Sequence, residues 1–235
     1  MRLRLRSHEA GQLILPVTRR WSLRRDRGQT RPLGGAAKRG IDILIALSAL
    51  IMFSPLFLLV AITIAVCDGR PVFYRHSRVG HRRQPFHCLK FRTMVANGDE
   101  VLRRHLEACP DAQREWIATR KLKDDPRITV VGAVLRKLSL DELPQLVNVL
   151  RGDMSIVGPR PIVVDEITMY GADAHFYFQV RPGLTGPWQV SGRNDAAYDG
   201  RVALDRAYVE NWSIRRDVMI ILKTIPVVLT ARGSY

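Results

Sequence analysis

Residues 41–66 read IDILIALSALIMFSPLFLLVAITIAV, and Asp42 is the only ionisable side chain among these 26 residues. A continuous helix of that length would be about 39 Å long, which exceeds the ~30 Å hydrocarbon core of a bilayer. Ser54 and Pro55 lie at its centre, where proline removes a backbone donor and disfavours α geometry in the preceding residue. The sequence therefore predicts two helices with a break between them, each roughly 16–20 Å long and too short to cross a bilayer alone.

Basic residues lie at both ends of this apolar segment. Lys38 and Arg39 precede it, and five arginines follow it closely, namely Arg70, Arg75, Arg78, Arg82 and Arg83. A spanning helix should show an asymmetry of Lys and Arg between its two ends. Because both ends here resemble cytoplasmic ends, we favour a re-entrant helix–break–helix that dips into one leaflet, with a plain membrane span as the alternative.

The charge of the chain points to a phosphate-bearing partner. The 235 residues include 37 Lys plus Arg against 22 Asp plus Glu, which gives a formal net charge of +15, and most of the cations are arginine. Arginine favours bidentate contact with phosphate. Candidate partners are a nucleic acid, an anionic membrane surface, or a nucleotide or lipid-phosphate substrate. Residues 1–36 hold nine of the arginines and predict a disordered arm.

Residues 69–235 read as one mixed, helix-rich domain. Short strands are predicted at 71–74 and 86–91, helices at 98–108 and 111–121, a helix from about Ser139 to about Leu150, an ordered loop at 153–200 and further helix from Ala203. Residues 218–229 form a second apolar surface beside Arg215, Arg216 and Lys223. Such a basic amphipathic stretch lies either in a membrane interface or in the core of the domain.

Asp141 and Glu142 form the most informative acidic pair. Ser139 lies three residues before Glu142 and fits a capping box, and carboxylates in a first helical turn offset the helix dipole. In the functional interpretation, a carboxylate near Arg136 and Lys137 stays ionised and attacks phosphorus, while its neighbour holds Mg²⁺. The pair alone leaves both interpretations open.

Three other segments add cations to the candidate chemistry. Lys90 and Arg92 lie on one side of a strand-like run, and Arg160 stands between two prolines that stiffen its loop. Arg181 begins a loop, residues 181–194, whose glycines permit close approach of the backbone to an anion. Taken singly, each segment is equally compatible with a solvated edge strand or a turn-rich connection.

Together these motifs resemble the bacterial sugar transferase family, the small monotopic phosphoglycosyl transferases that start exopolysaccharide, O-antigen or glycoprotein glycan assembly, and the exopolysaccharide-initiating type most of all. The resemblance covers residues 38–229. It rests on Lys38-Arg39-x-x-Asp42, Ser54-Pro55, Arg78-x-Gly80, Lys90-Phe-Arg-Thr-Met94, Asp125-Pro-Arg-Ile-Thr129, the string LRKLSLDELPQ at 135–145, the string GDMSIVGPRP at 152–161 and the loop at 181–194.

The resemblance implies a helix-rich α+β fold of a monotopic membrane protein. A disordered arm at residues 1–36 would precede a re-entrant membrane helix at 37–68, broken at Ser54 and Pro55. Residues 69–235 would form a small cytoplasmic catalytic domain on which amphipathic interfacial helices pack. The location implied is the cytoplasmic face of the bacterial inner membrane.

The resemblance also implies an activity as an undecaprenyl-phosphate hexose phosphotransferase. A hexose 1-phosphate, galactose or glucose, would pass from a UDP-sugar to undecaprenyl phosphate with release of UMP, as the first membrane step of exopolysaccharide biosynthesis. Asp141 would be the nucleophile of a covalent aspartyl-phosphosugar intermediate, and Glu142 would bind the Mg²⁺ cofactor. The implied phosphate-binding residues are Lys90, Arg92, Arg136, Arg160 and Arg181.

The implied partners are UDP-sugar, undecaprenyl phosphate and membrane lipids, with downstream glycosyltransferases as further candidates and no nucleic acid. One alternative is a membrane-tethered protein that binds nucleic acid or anionic lipid without catalysis. Such binding would need neither Asp141 nor Glu142 and would weaken steeply with salt. Another alternative is a family member that has lost catalysis and acts as a scaffold, against which the intact acidic pair argues.

Overall fold

The computed structural model describes residues 31–119, 121–191 and 198–229. Most of the predicted arm at 1–36 and the end of the predicted 181–194 loop lie outside these residues. In chain order the helices are α1 (Gly35–Met52), α2 (Ser54–Cys67), α3 (Gly98–Ala108), α4 (Pro110–Thr119), α5 (Val130–Lys137), α6 (Gln145–Arg151), α7 (Ile167–Tyr170), α8 (Ala174–Phe178), α9 (Pro187–Val190), α10 (Tyr198–Glu210) and α11 (Ile214–Leu229). The strands are β1 (Phe73–Val79), β2 (Pro85–Phe91), β3 (Ser155–Val157) and β4 (Gly183–Thr185). This composition confirms the prediction of a helix-rich α+β fold.

The apolar segment folds as two helices with a sharp bend between them. α1 and α2 meet at Phe53 and are bent by 63°. Pro55 stands in the first turn of α2, where its missing N–H costs no helical hydrogen bond, and the hydroxyl of Ser54 donates to the carbonyl of Ile51 at 2.9 Å. The predicted break is confirmed, and a straight continuous span is excluded. No single helix of the described residues is long and apolar enough to cross a membrane, whereas the bent pair together is.

Polar side chains of α1 fasten it to the rest of the chain. Asp42 is buried, and its Oδ1 accepts hydrogen bonds from the Ser155 hydroxyl and the Ile156 N–H of β3, both at 2.9 Å. Arg39 donates to two carbonyl oxygens near the end of α6, at 2.6 and 2.9 Å. The lone acidic residue of the apolar segment is thus a structural anchor, because it satisfies buried donors that would otherwise be unpaired.

Large apolar side chains are exposed on three surfaces. On α1 and α2 they are Leu44, Leu47, Ile51, Met52, Leu58, Leu59, Ile62 and Val66; on α11 they are Ile214, Val218, Met219, Leu222 and Ile225; along α5 they are Val130, Val134 and Leu138. The opposite side of α11 is buried at Asp217 and Ile220. The helix predicted at the C-terminal apolar stretch is therefore amphipathic, with one face in the core and one apolar face outside.

Two small sheets lie between the helices. β1 and β2 form an antiparallel hairpin in which Tyr74 pairs with Lys90 and His76 with Cys88. β3 and β4 pair in parallel, and a Cβ at Gly183 would lie 2.1 Å from the backbone nitrogen of Gly158. The predicted strand at 86–91 is confirmed, and β1 starts two residues later and runs farther than predicted. The loop predicted at 153–200 instead contains β3, β4 and the short helices α7 to α9.

The prediction of a capped helix starting at Ser139 is wrong. Ser139 has a left-handed backbone with φ of +54° and makes no side-chain cap, because it closes α5 instead of opening a new helix. An N-cap residue needs an extended backbone. A 3₁₀ turn at Leu140–Glu142 follows, and α6 starts only at Gln145. The acidic pair therefore lies in a tight turn between two helices.

Candidate active site

The acidic pair faces a lysine of the central hairpin. Lys90 Nζ lies 3.4 Å from Asp141 Oδ2 and 2.7 Å from Glu142 Oε1. The side chain of Asp141 is 11% exposed and that of Glu142 is 31% exposed. The 3₁₀ turn presents both carboxylates to β2, and this contact explains how residues about 50 positions apart form one site. Asp141 is thus enclosed, and Glu142 reaches further towards solvent.

The charged side chains at this site shift one another's pKa values. Burial raises the pKa of Asp141, the neighbouring Glu142 adds to that effect, and the cations Lys90 and Arg136 oppose it. Burial alone would lower the pKa of Lys90, but the carboxylates of Glu142 and Asp141 outweigh it, so the net pKa of Lys90 is raised. Lys90 therefore stays cationic and supports the ionised form of Asp141.

Arg136 joins the acidic pair from α5. Its Nε donates to the hydroxyl of Thr93 at 3.0 Å, and no carboxylate of the described ranges forms an ion pair with it. Close packing makes this contact possible, since a Cβ at Gly132 would lie 2.1 Å from the carbonyl oxygen of Thr93. The guanidinium lowers the pKa of Asp141 by its charge. Thr93 was not singled out in the sequence, although it belongs to the 90–94 motif.

Arg160 approaches the site from the loop after β3. Its guanidinium carbon lies 5.7 Å from the ring centroid of Trp188, and its charge opposes the rise in the pKa of Lys90. Pro159 is fully buried, which fixes the loop next to Arg160. Lys90 thus contacts both carboxylates, whereas Arg136 acts on Asp141 and Arg160 on Lys90 through charge. A phosphate-binding role for these three cations stays a prediction.

Arg92 and Arg181 make their contacts elsewhere. Arg92 is buried, and its Nη2 donates to the carbonyls of Asp68 and Gly69 at 2.6 and 2.7 Å. Arg181 donates through Nε to the carbonyl of Gly152 at 2.7 Å. In the described part of the chain neither guanidinium hydrogen-bonds to Asp141 or Glu142. Their contacts stabilise the ends of α2 and α6, and phosphate binding by either residue stays a prediction.

The glycines predicted to approach an anion have another close neighbour. Gly183 and Gly186 both pack on the backbone of Gly158, where added Cβ atoms would lie 2.1 and 2.0 Å from its nitrogen and oxygen. Their lack of a side chain is therefore needed for the contact between the two loops. Residues 192–194, the remainder of that motif, lie outside the described residues.

The carboxylates of Asp141 and Glu142 are the candidate ligands for Mg²⁺ at this site. Among the described residues no group of three or more His, Cys, Asp or Glu side chains could hold a metal ion. Mg²⁺ is usually bound by one or two carboxylates together with substrate phosphates and water. The adjacent carboxylates of Asp141 and Glu142 fit that pattern, and they do not fit an ion held by protein ligands alone.

The sequence profile of the family described as bacterial sugar transferase matches residues 33–231, which include every element of this site. The chain belongs to the bacterial sugar transferase family. It is 60% identical over 208 residues to the exopolysaccharide production protein ExoY of Rhizobium meliloti, covering 88% of this chain and 92% of that protein. It is 52% identical over 198 residues to the undecaprenyl-phosphate galactose phosphotransferase of Salmonella typhimurium, covering 84% of this chain and 41% of that protein.

A third relative of this sugar transferase is the UDP-glucose:undecaprenyl-phosphate glucose-1-phosphate transferase of Caulobacter vibrioides. The two are 39% identical over 206 residues, which cover 84% of this chain and 72% of the relative. The resemblance to exopolysaccharide-initiating transferases is therefore confirmed. The alternative of a non-catalytic binding protein is not favoured by these relatives.

Proposed function

We propose that this sugar transferase moves a hexose 1-phosphate, galactose or glucose, from a UDP-sugar to undecaprenyl phosphate and releases UMP. The observation that carries the proposal is the contact of Lys90 with both Asp141 and Glu142, at 3.4 and 2.7 Å. This contact joins a buried carboxylate to a fixed cation in one small site. The names of the relatives support the substrate classes, and the name of the ExoY relative supports a role in exopolysaccharide production. Within that process we assign this transfer to the first membrane step.

The proposed reaction has two displacements at one phosphorus atom. An oxygen of Asp141 attacks the phosphate that bears the sugar, the bond from that phosphorus to the UMP oxygen breaks, and UMP leaves with the electron pair. An oxygen of undecaprenyl phosphate then attacks the same phosphorus and displaces the Asp141 carboxylate. The lipid diphosphate sugar is the product, and the aspartyl-phosphosugar is the covalent intermediate.

The cations around the pair stabilise charge on the transferred phosphoryl group. Lys90 and Arg136 lie close enough to Asp141 for their charges to lower its pKa, and they need little rearrangement to meet an incoming phosphate. Arg160 adds a third cation. Mg²⁺ bound by Glu142, with Asp141 beside it, would neutralise phosphate charge. Arg92 and Arg181 are proposed only as more distant contributors to the positive potential.

The membrane arrangement that we propose is re-entrant. Lys38, near the start of α1, is bonded to Asp217 at 2.6 Å, and Arg92 is bonded to the carbonyls that follow α2. Both ends of the bent pair are thus held by the same domain, while the apolar side chains of both helices are exposed. Entry into one leaflet from the cytoplasmic face of the inner membrane, with the exposed faces of α5 and α11 in the interface, accounts for these features.

The decisive experiment follows UMP release from membranes that contain the full chain. Membranes given a panel of UDP-sugars, Mg²⁺ and undecaprenyl phosphate should release UMP, and the preferred UDP-sugar identifies the hexose. Asp141→Asn should abolish release, whereas Asp124→Asn, the same change at an exposed site, should not. Unchanged release by Asp141→Asn would exclude it as the nucleophile, and no release with any UDP-sugar would refute the proposed function.

A further inference from the structure

The face of the hairpin that carries Lys90 also carries a row of side chains from β1. Tyr74 lies opposite Lys90, His76 opposite Cys88, and Arg78 opposite Phe86. Directly opposite residues of an antiparallel pair point to the same side of the sheet. Since Lys90 points to the acidic pair, His76 and Arg78 continue the same surface away from it. This row was not assigned a role in the sequence, although alternation along β1 places all three residues on one face.

His76 and Arg78 form a defined pair of donors. Arg78 Nη2 lies 3.4 Å from His76 Nδ1, and a guanidinium cannot accept a hydrogen bond. Nδ1 is therefore the acceptor, and the ring proton is on Nε2, where it can be donated. Burial, Arg78 and Lys90 lower the pKa of His76 and the charge of Glu166 opposes them, and the net effect favours the neutral ring. The ring of Tyr74 packs edge-on against it, with centroids 5.9 Å apart.

Positive charge exceeds negative charge around this pair. Glu166 lies 3.8 Å from Arg78, but the same carboxylate also pairs with Arg201 at 3.3 Å. Arg160 contributes to lowering the pKa of Arg78 by its charge, and within the described ranges no carboxylate forms an ion pair with Arg160. Arg78 thus shares the Glu166 carboxylate with Arg201, and the charge of Arg160 adds to the positive potential at Arg78. This arrangement suits a phosphate, because a phosphate supplies the missing negative charge and the acceptors.

We infer that His76, Arg78 and Arg160 bind the phosphate of the UMP leaving group. The inference rests on the proposed function, which places the sugar-bearing phosphate at Asp141 and Lys90. The leaving phosphate must lie next to that one, and the row from Lys90 to Arg78 continues along the same face. His76 supplies a hydrogen bond and the two arginines supply charge, so this subsite would favour departure of UMP by stabilising its developing negative charge.

The lipid phosphate belongs on the other side of the acidic pair. Arg136 is carried by α5, which packs on α2 through Leu135 and whose Val130 and Val134 are 87% and 54% exposed. By contrast, β1 leads from Phe73, which packs on Phe57 of α2, towards Glu166 and Arg201, where the side chains are polar. A water-soluble nucleotide fits the polar side, and a polyprenyl chain fits the apolar side.

The test measures UMP binding and substrate kinetics separately, on the full chain in nanodiscs. Arg78→Gln should weaken UMP affinity by titration calorimetry about tenfold or more, because one or two charge-assisted hydrogen bonds are lost. It should raise KM for the UDP-sugar similarly and leave KM for undecaprenyl phosphate within about twofold. Arg78→Lys, which keeps the charge, should recover part of the affinity, and His76→Phe should lower it about threefold.

Arg75→Gln is the matched control, since Arg75 lies on the same strand, faces the other way and is exposed. Equal UMP affinity in Arg78→Gln and Arg75→Gln would overturn the inference, as would a rise in KM confined to undecaprenyl phosphate. Circular dichroism melting of Arg78→Gln and Arg78→Lys separates lost binding from lost folding. Calorimetry needs no turnover, so UMP binding decides this inference even if no UDP-sugar is a substrate and the proposed function fails.

Discussion

Lys38 and Asp217 are 179 positions apart, and the ammonium of Lys38 donates to Asp217 Oδ2 at 2.6 Å in the interior. The hydroxyl of Tyr208 donates to Asp217 Oδ1 at 2.7 Å, and the indole N–H of Trp212 donates to Oδ2 at 3.1 Å. The carboxylate is thus fully supplied with donors, which offsets the cost of burying the ion pair. This cluster joins the first turn of α1 to α11 and so fastens the apolar helix pair to the rest of the described chain.

Replacing Lys38 by Met should destabilise the protein strongly. The substitution leaves a buried carboxylate without its counter-ion, a loss of ~3–5 kcal/mol in the free energy of unfolding. Denaturant titration in detergent, followed by tryptophan fluorescence, measures the change. Lys123→Met, at an exposed position, is the control and should shift the midpoint little. The interpretation is wrong if both variants unfold at the same midpoint.

Lys90 should be more important for turnover than for folding. Lys90→Gln removes the cation that contacts both carboxylates and should lower kcat about 10²–10³-fold, as expected for the loss of a preorganised charge in the transition state. Lys90→Arg should retain more activity because it keeps the charge. UMP release at saturating substrates measures kcat, and Lys121→Gln at an exposed site provides the baseline. A kcat for Lys90→Gln within threefold of that baseline would argue against a role in the chemical step.

Local signals in the sequence predicted the parts of the fold that depend on few neighbours. Pro55 indicated the break, because a proline inside a helix removes a backbone hydrogen bond and disfavours α geometry in the residue before it. The strand-like run at 86–91 indicated β2. Lys90 and Asp141 were expected in one site only through the family resemblance, since nothing in their spacing brings β2 to the 3₁₀ turn.

Features that depend on distant partners could not be predicted. The left-handed backbone of Ser139 is set by the way α5 ends and Leu140–Glu142 packs, whereas its sequence context is that of a helix cap. Asp42 could be noticed as the one acidic residue of an apolar segment, but its partners at β3 are more than 110 positions away. Arg92 has the same sequence signature as a phosphate ligand, yet its guanidinium contacts backbone carbonyls, which no side-chain pattern reveals.

His81, in the turn of the hairpin, should make stability depend on pH. Burial, together with the charges of Arg181 and Arg82, lowers its pKa to about 4, against a value of about 6.5 in the unfolded chain. Between these values the unfolded state binds more protons, so the contribution to stability is complete above about pH 6.5 and is lost as the pH falls towards 4. Thermal melting across this range should show a steeper decline for the wild type than for His81→Gln. Equal slopes would show that His81 does not titrate in this window.

The bend at Pro55 should keep both ends of the apolar segment on one side of the membrane. Cys67 is exposed at the end of α2, and Ala37→Cys places a second exposed thiol at the start of α1, after Cys88 and Cys109 are changed to serine. A membrane-impermeant maleimide should label both thiols in inverted vesicles, which expose the cytoplasmic face of the membrane. It should label neither thiol in spheroplasts, which expose the opposite face. Pro55→Ala supplies the N–H that a continuous helix through position 55 would need and so favours a straighter segment. It should therefore reduce the fraction of molecules labelled at both positions from that side. Leu59→Ala, at an exposed position of α2, should not have this effect. Labelling of the two thiols from opposite sides in the protein with Pro55 intact would rule out re-entry and leave a broken span as the arrangement of this segment.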